Sequence, residues 1–273
     1  MMTKLILQSD DYGITPAVAS GIIYGIEHGA IRNTGFFTNM AWAPECAEMI
    51  KPYLDKIALG IDFNLCNGFP VCDPKDVPTL VDAEGRFIDM NTHRRLFAED
   101  NPGVAPWAPG KDHCDPADIE REFRAQLERY RELIGKDPDY FHAHAYCPEP
   151  HAQVIRQLAE ECGKPCTLKM HDYDNVGSTM GWYINPPTYE NQMKADMLGF
   201  LLDPKNTAAL LEKEYIWIVC HCGYVDEQLF HEGNFNVVRT QDLRSVTSPE
   251  FFRWMEENDV VLSDFREFLA SQK

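Results

Sequence analysis

The sequence predicts an α/β fold: an irregular, TIM-barrel-like parallel (β/α) barrel with a long lid-like insertion after its third strand. Three observations predict it. Apolar runs of strand length alternate with stretches of helical periodicity, which argues for a parallel sheet with right-handed crossovers. Four of those runs finish in Asp or His. Leu5-Ile6-Leu7 leads to Asp10-Asp11, Ile57 to Ile61 leads to Asp62, Tyr140-Phe141 leads to His142-Ala143-His144, and Tyr215 to Cys220 leads to His221. Parallel barrels carry their active sites at the C-terminal ends of strands. Third, a chain of 273 residues with 44% hydrophobic content holds seven or eight such units around one core, so a single domain over residues 1–273 is expected.

The elements follow in order. After the first strand, a helix reads over residues 15–28, with Pro16 suited to its first turn and Ile22, Ile23 and Ile26 among its apolar positions. A second strand reads over 34–39, a short helix over 44–50 and a third strand over 57–61. Residues 64–115 are rich in Pro and Gly and irregular; a segment of this length is a functional lid or conceals an element. Within it, residues 78–82 and 85–88 pair as a small hairpin, and His93, Trp107 and His113 are its notable side chains. Asp115-Pro116 opens a strong helix that runs to Gly135. Next come the strand ending at His144, a helix over 151–162 and a short strand at 166–168. A second irregular loop covers 171–189, followed by a helix over 191–202 and the strand Tyr215 to Cys220. The tail reads as a helix (248–258), a last strand (260–263) and a terminal helix.

Charge and composition exclude some partners. The formal net charge is -18. Nucleic acids and anionic membrane surfaces are bound by basic patches, so neither is an expected partner. A neutral or cationic small molecule fits better, and a homodimer is compatible. No apolar stretch approaches the ~20 residues of a membrane helix. The first residues hold too short an apolar run for a signal peptide, so a cytoplasmic location is expected. The nine cysteines are scattered and odd in number, which fits reduced thiols. Cys220-His221-Cys222 lacks both the spacing and the second pair of a zinc knuckle.

The strand ends carry the chemistry. Adjacent carboxylates repel unless a cation or a shared proton relieves them, so Ser9-Asp10-Asp11 points to a metal site or an acid/base pair. A solvated turn is the plain alternative. Asp11, Asp62 and His144 come from three strand ends, and two carboxylates with an imidazole make a site for one divalent ion. His142 lies two residues from His144 on the same strand face and is either a ligand or a partner behind the ligands. A carboxylate-rich set favours a hard ion such as Mg or Mn over Zn, so Mg is expected, with Mn, Co or Zn as alternatives. His221 follows the most apolar strand and suits a proton donor to a leaving group. Asp10 suits the base that takes a proton from a water beside the ion.

These residues are similar to a known family. Ser9-Asp10-Asp11-Tyr12-Gly13-Ile14-Thr15-Pro16, Thr38-Asn39-Met40, Leu59-Gly60-Ile61-Asp62-Phe63-Asn64-Leu65, Phe141-His142-Ala143-His144, His221-Cys222-Gly223 and Arg239-Thr240-Gln241-Asp242-Leu243 together resemble the YdjC-like carbohydrate deacetylases, which include the chitooligosaccharide deacetylases. The resemblance covers nearly the whole chain. It implies an irregular (β/α) barrel and metal-assisted removal of an acetyl group from an N-acetylated sugar. It also implies that Asp10 is the base, that Asp11 and His144 are metal ligands, and that His221 is the C-terminal catalytic His. Two positions depart from the family pattern. Asp62 stands where the family usually has a ligand His, and His142 where it usually has an Asp. A carboxylate and an imidazole can still face each other across neighbouring strands. Tyr146 and Pro148 stand where histidines are frequent.

Two other functions fit the same residues. One is a degenerate barrel that binds a sugar or metabolite without hydrolysis; the other is a metal-dependent sugar isomerase or epimerase. Neither would release acetate, and fold alone does not separate them. Trp42, Trp107, Trp182, Tyr146 and Tyr224 are candidate sugar-stacking aromatics.

Overall fold

The computed structural model describes residues 2–105 and 110–272. Trp107 lies outside them. The strands are β1 (Thr3–Tyr12), β2 (Asn33–Phe36), β3 (Ala58–Phe63), β4 (Phe141–Ala143), β5 (Val176–Thr179), β6 (Tyr215–Cys220) and β7 (Val260–Ser263). Among the described residues they form one parallel sheet in the order β4-β3-β2-β1-β6-β5, with β7 paired to β1. Helices link most of them, as the alternation of apolar runs and helical periodicity predicts.

β1 is the organising strand because its 10 residues outrun every neighbour. β6 pairs with Lys4–Ser9 along one edge. The other edge is shared: β7 pairs with Thr3–Ile6, and β2 takes over from Gln8 to Tyr12. The buried Asn33 side chain stitches the junction. Its Nδ2 donates to the Leu7 and Ser263 carbonyls (3.1 and 3.3 Å), and its Oδ1 accepts from the Phe265 amide (2.9 Å). β1, β2, β3 and β6 are buried along nearly their whole length, as parallel strands covered on both faces must be.

The sheet curls into a half-barrel. Among the described residues no ladder joins β4 to β5. Instead Cys166 makes a single bridge to Phe141, and a 3-10 helix (Thr167–Asp172) occupies the expected strand at 166–168. The loop expected at 171–189 contains β5. Its sequence, Val-Gly-Ser-Thr, is too polar and too short to read as a strand, and it is held only along β6. The helix expected over 191–202 is two, Tyr189–Lys194 and Met197–Leu202, because Asp196 turns its carboxylate back to cap the second at the Gly199 amide (3.0 Å). β2 ends at Phe36, short of the expected Asn39.

The insertion after β3 is not structureless. Val81 and Phe87 bridge antiparallel, as the hairpin reading expects. A helix, Met90–Asp100, begins at an Asp89 cap that no apolar periodicity announces. The buried Glu122 of the long helix Pro116–Ile134 accepts the Val71 and Cys72 amides (2.9 and 3.0 Å), which pins the insertion to that helix. No helix among the described residues is long and apolar enough to cross a membrane.

Candidate active site

The four polar strand ends meet at the C-terminal edge of the sheet. Gly35 on β2 makes room for the meeting: a Cβ there would lie 1.6 Å from Asp62 Oδ1, so no other residue type fits without moving Asp62. The backbone bends sharply at two of these ends. Asp11 has φ +68° and Ala145 φ +51°, left-handed values that non-glycine residues adopt at a cost of order 1–3 kcal/mol and that cluster at functional sites.

Asp62 is fully buried at the centre. Its Oδ2 accepts the Asp11 amide at 3.0 Å, while its Oδ1 is buried with no partner. Burial, then the nearby Asp10 carboxylate, push its pKa well above the usual carboxylate range, against the pull of His142. An orphaned buried carboxylate oxygen in a residue grouped with Asp10 and His142 is a donor set that a cation completes. On one side stand Asp10 and His142. Asp10 Oδ1 accepts from Gln8 Nε2 (2.5 Å), and Asp10 Oδ2 faces His142 Nε2 at 3.1 Å. His142 Nδ1 faces the Thr167 hydroxyl (2.5 Å). Burial opposes charge on His142, but Asp10 and Asp62 outweigh it and raise its pKa to about 9.

On the other side stand Asp11, His144 and Arg239. Asp11 Oδ1 lies 2.9 Å from His144 Nδ1, and Asp11 Oδ2 accepts from the buried Arg239 guanidinium at 2.5 Å. Burial works against the charge of Asp11, yet Arg239 and His144 hold its pKa well below the usual range.

The structure thus brings Asp10, Asp11, Asp62, His142 and His144 to one place, and its grouping differs in detail from the sequence reading. Asp10, Asp62 and His142 offer ligand atoms all within 4.8 Å of one another. Among the described residues Asp11, Asp62 and His144 do not form such a group, because Asp11 is turned toward Arg239.

His221 ends β6 across the cleft in a fully partnered setting. Its backbone amide donates to Asp242 Oδ2 (2.9 Å), and its Nδ1 faces the Tyr183 hydroxyl (3.0 Å). That hydroxyl gives its single proton to Asp242 Oδ2, so His221 presents Nδ1–H to Tyr183 and keeps Nε2 unprotonated. Trp182 Nε1 donates to Asp242 Oδ1 (3.1 Å), and Phe235 packs edge-on against the imidazole at 4.7 Å. Burial lowers the His221 pKa to about 4 despite the attraction of Asp11 and Asp10, and burial raises that of Asp242 to about 7 against its three donors.

Sequence reasoning singled out neither Tyr183 nor the individual roles of Arg239 and Asp242. The last two lie in the Arg239–Leu243 motif, but Tyr183 sits in an aperiodic loop with no signal of its own. Of the candidate stacking aromatics, Trp182 and Tyr146 are buried and committed to Asp242 and Asp112. Tyr224 is exposed, and Trp42 lines a small cleft with Phe69 and Arg86. A larger cleft of about 440 Å³ is lined by Tyr189, Phe230, Asn234 and Asn236, next to the Phe235 that touches His221. All nine cysteines are free, and Cys220 and Cys222 sit 3.7 Å apart without joining any potential metal group.

Comparisons with known proteins place the chain in a family. The "YdjC-like protein" family model matches residues 4–257. A carbohydrate deacetylase of Clostridium beijerinckii is 27% identical over 270 residues, covering 97% of this chain and 99% of the relative. One from Geobacillus stearothermophilus is 28% identical over 269 residues, covering 96% and 97%. Among solved structures, a candidate cellobiose-phosphate cleavage protein from Enterococcus faecalis superposes with a TM-score of 0.76 at 21% identity, over 98% of this chain and 99% of that one. The Xyl-CE4 domain of a xylanase from the Trinervitermes trinervoides hindgut metagenome has a TM-score of 0.51 at 8% identity, over 100% and 92%. These two likenesses concern the fold. With a family model matching nearly its whole length, the chain belongs to the YdjC-like protein family.

Proposed function

We propose that this chain is a metal-dependent hydrolase that removes an acetyl group from an N-acetylated sugar or oligosaccharide. The observation that carries the reading is the buried, unpartnered Oδ1 of Asp62, a carboxylate whose charge is opposed by Asp10 and Asp11 nearby. The names of the curated relatives support the reaction class. Magnesium suits the oxygen-rich set best, with Mn, Co or Zn as substitutes. A divalent ion bound there would polarise the amide carbonyl and acidify a water.

Asp62, Asp11 and His144 are the proposed ligands, with His142 beside them. Asp10 is the base that accepts the water proton. His221 delivers a proton to the departing amine, which leaves badly as an anion. Neutral at rest, His221 takes that proton from solvent during turnover, the Asp11 carboxylate stabilises the imidazolium while it lasts, and the proton accepted by Asp10 returns to solvent. Tyr183 and Asp242 hold the ring with Nε2 unprotonated. The cleft at Tyr189 and Phe230 offers exposed aromatic faces and amide groups suited to a sugar ring. The described parts of the insertion, residues 64–105 and 110–115, are the proposed wall of the mouth, and nine free thiols suit a reducing, cytoplasmic setting.

One observation favours a second division of labour. Because Asp10, Asp62 and His142 converge within 4.8 Å, Asp10 is then a ligand rather than the base. The neutral His221 would then take the water proton itself and return it to the amine. Metal content of Asp10→Asn and Asp11→Asn proteins separates the two: the ligand variant loses the ion, and the other keeps it. The function itself is tested by assaying acetate release from a panel of N-acetylated mono- and oligosaccharides with Mg, Mn, Co or Zn supplied. Release from at least one is expected. If none yields acetate, a sugar-binding or isomerase role replaces the hydrolase.

A further inference from the structure

A second cluster of metal-ligating side chains lies away from the strand-end carboxylates, where the insertion meets the helix Glu149–Glu161. Asp112 Oδ2 and His151 Nε2 face each other at 2.9 Å, and both side chains are 1% exposed. Both atoms are buried, and neither has any partner beyond this one ion-pair contact. The buried Cys114 completes a group whose ligand atoms all lie within 4.8 Å of one another. His113 Nδ1, 3.3 Å from Asp112 Oδ1, is also buried and unpartnered. Three orphaned polar atoms in one buried pocket form a costly arrangement unless something binds them.

The surroundings are those of a ligand shell. The Tyr146 hydroxyl donates to Asp112 Oδ1 (3.1 Å), which fixes the carboxylate with Oδ2 turned inward. His113 Nε2 is paired to His93 Nδ1 (2.8 Å), and His93 Nε2 to the Leu65 carbonyl (3.1 Å). Metal ligands are commonly oriented in this way by groups behind them. Two ligand atoms on one tetrahedral zinc ion lie about 3.3 Å apart, given bonds of about 2.0–2.1 Å, so the Asp112–His151 spacing is close to that of a shared ion. Thiolate, imidazole and carboxylate together select a borderline ion rather than magnesium.

We propose that Asp112, Cys114 and His151 bind a zinc-class divalent ion, separate from the catalytic one, with His113 beside it. The ion joins parts far apart in sequence: the loop before the helix Pro116–Ile134, the start of the helix Glu149–Glu161 and, through the His113–His93 pair, the insertion helix Met90–Asp100. Binding releases the Cys114 proton to solvent as the thiolate forms. The bound ion makes this side of the insertion a fixed wall.

The test uses full-length protein stripped with chelator and titrated with Co²⁺ and Zn²⁺. Co²⁺ should give a thiolate-to-cobalt charge-transfer absorption, because one ligand is sulfur. Cys114→Ser should abolish that absorption, and Asp62→Asn should leave it intact. Asp112→Asn, which keeps the thiol and the shape, should weaken Zn²⁺ binding on the order of 10-fold or more. X-ray absorption of the parent with one equivalent of zinc gives a readout that needs no variant, with sulfur scattering at about 2.3 Å. The proposal fails if the parent shows neither a charge-transfer absorption nor zinc–sulfur scattering, or if the absorption persists in Cys114→Ser.

Discussion

The two sides of the cleft are built on opposite plans. The Asp10–Asp62–His142 side is unfinished: two carboxylates and an imidazole crowd together, one buried oxygen has no partner, and the His142 pKa is raised to about 9 by its neighbours. The His221 side is complete: Tyr183, Asp242, Trp182 and Phe235 together fix the imidazole. The difference teaches where the chain waits for something and where it is ready. A site that binds a cation must leave donors unsatisfied, whereas one that moves a proton must fix a ring and its tautomer beforehand.

The largest expected effect falls on the proton-moving side. His221→Ala should lower kcat by roughly 10²–10⁴-fold with metal content unchanged, measured by acetate release alongside elemental analysis. Loss of the ion in that variant would make His221 a ligand and erase the contrast. Tyr183→Phe removes only the hydroxyl that receives Nδ1–H. A hydrogen bond of about 1 kcal/mol corresponds to roughly a fivefold to tenfold fall, in kcat rather than KM. An equal change in KM would mean that Tyr183 contacts substrate rather than His221.

The smallest effect concerns stability and sharpens the comparison from outside the cleft. Burial lowers the pKa of the fully buried His93 from 6.5 to about 4. A lowered folded pKa means that the unfolded chain takes up the proton first. Stability is therefore kept above about 6.5 and lost as the pH falls toward 4, by up to about 1.4 kcal/mol per pH unit for one proton. In denaturant melts of metal-free protein, His93→Gln should flatten that slope by one proton's share. His142 has the opposite sign. Its raised pKa contributes stability below about 6.5 that is lost as the pH rises toward 9. An unchanged acid slope in His93→Gln would show that His93 accepts a proton in the folded state.

Much of this arrangement was legible in residues. β1, β3, β4 and β6 announce themselves because buried parallel strands are nearly all apolar, and the polar residues that end them stand out. The spacing of two between His142 and His144 put both rings on one strand face, and in the structure His142 faces Asp10 and His144 faces Asp11. What stayed hidden was pairing across distance. Arg239 neutralises Asp11 from 228 positions away, and that partnership decides which carboxylates converge. Tyr183 reaches His221 from a loop that has no periodicity, and β5 is a polar edge strand that only β6 defines. The cluster at Asp112, Cys114 and His151 is likewise invisible along the chain until the helix after β4 folds back on the insertion.

The central claim is that the unfinished side is completed by a divalent ion on which acetate release depends. The direct test measures bound metal and acetate release together for the parent, the chelated parent, the parent reconstituted with Mg or Mn, and Asp62→Asn. Asp62→Asn should bind the ion weakly, and its turnover should fall on the order of 10²-fold or more. Acetate release should vanish on chelation and return with the ion in the parent alone. Full acetate release from chelated parent, or an Asp62→Asn protein with parental metal content and turnover, would contradict the claim.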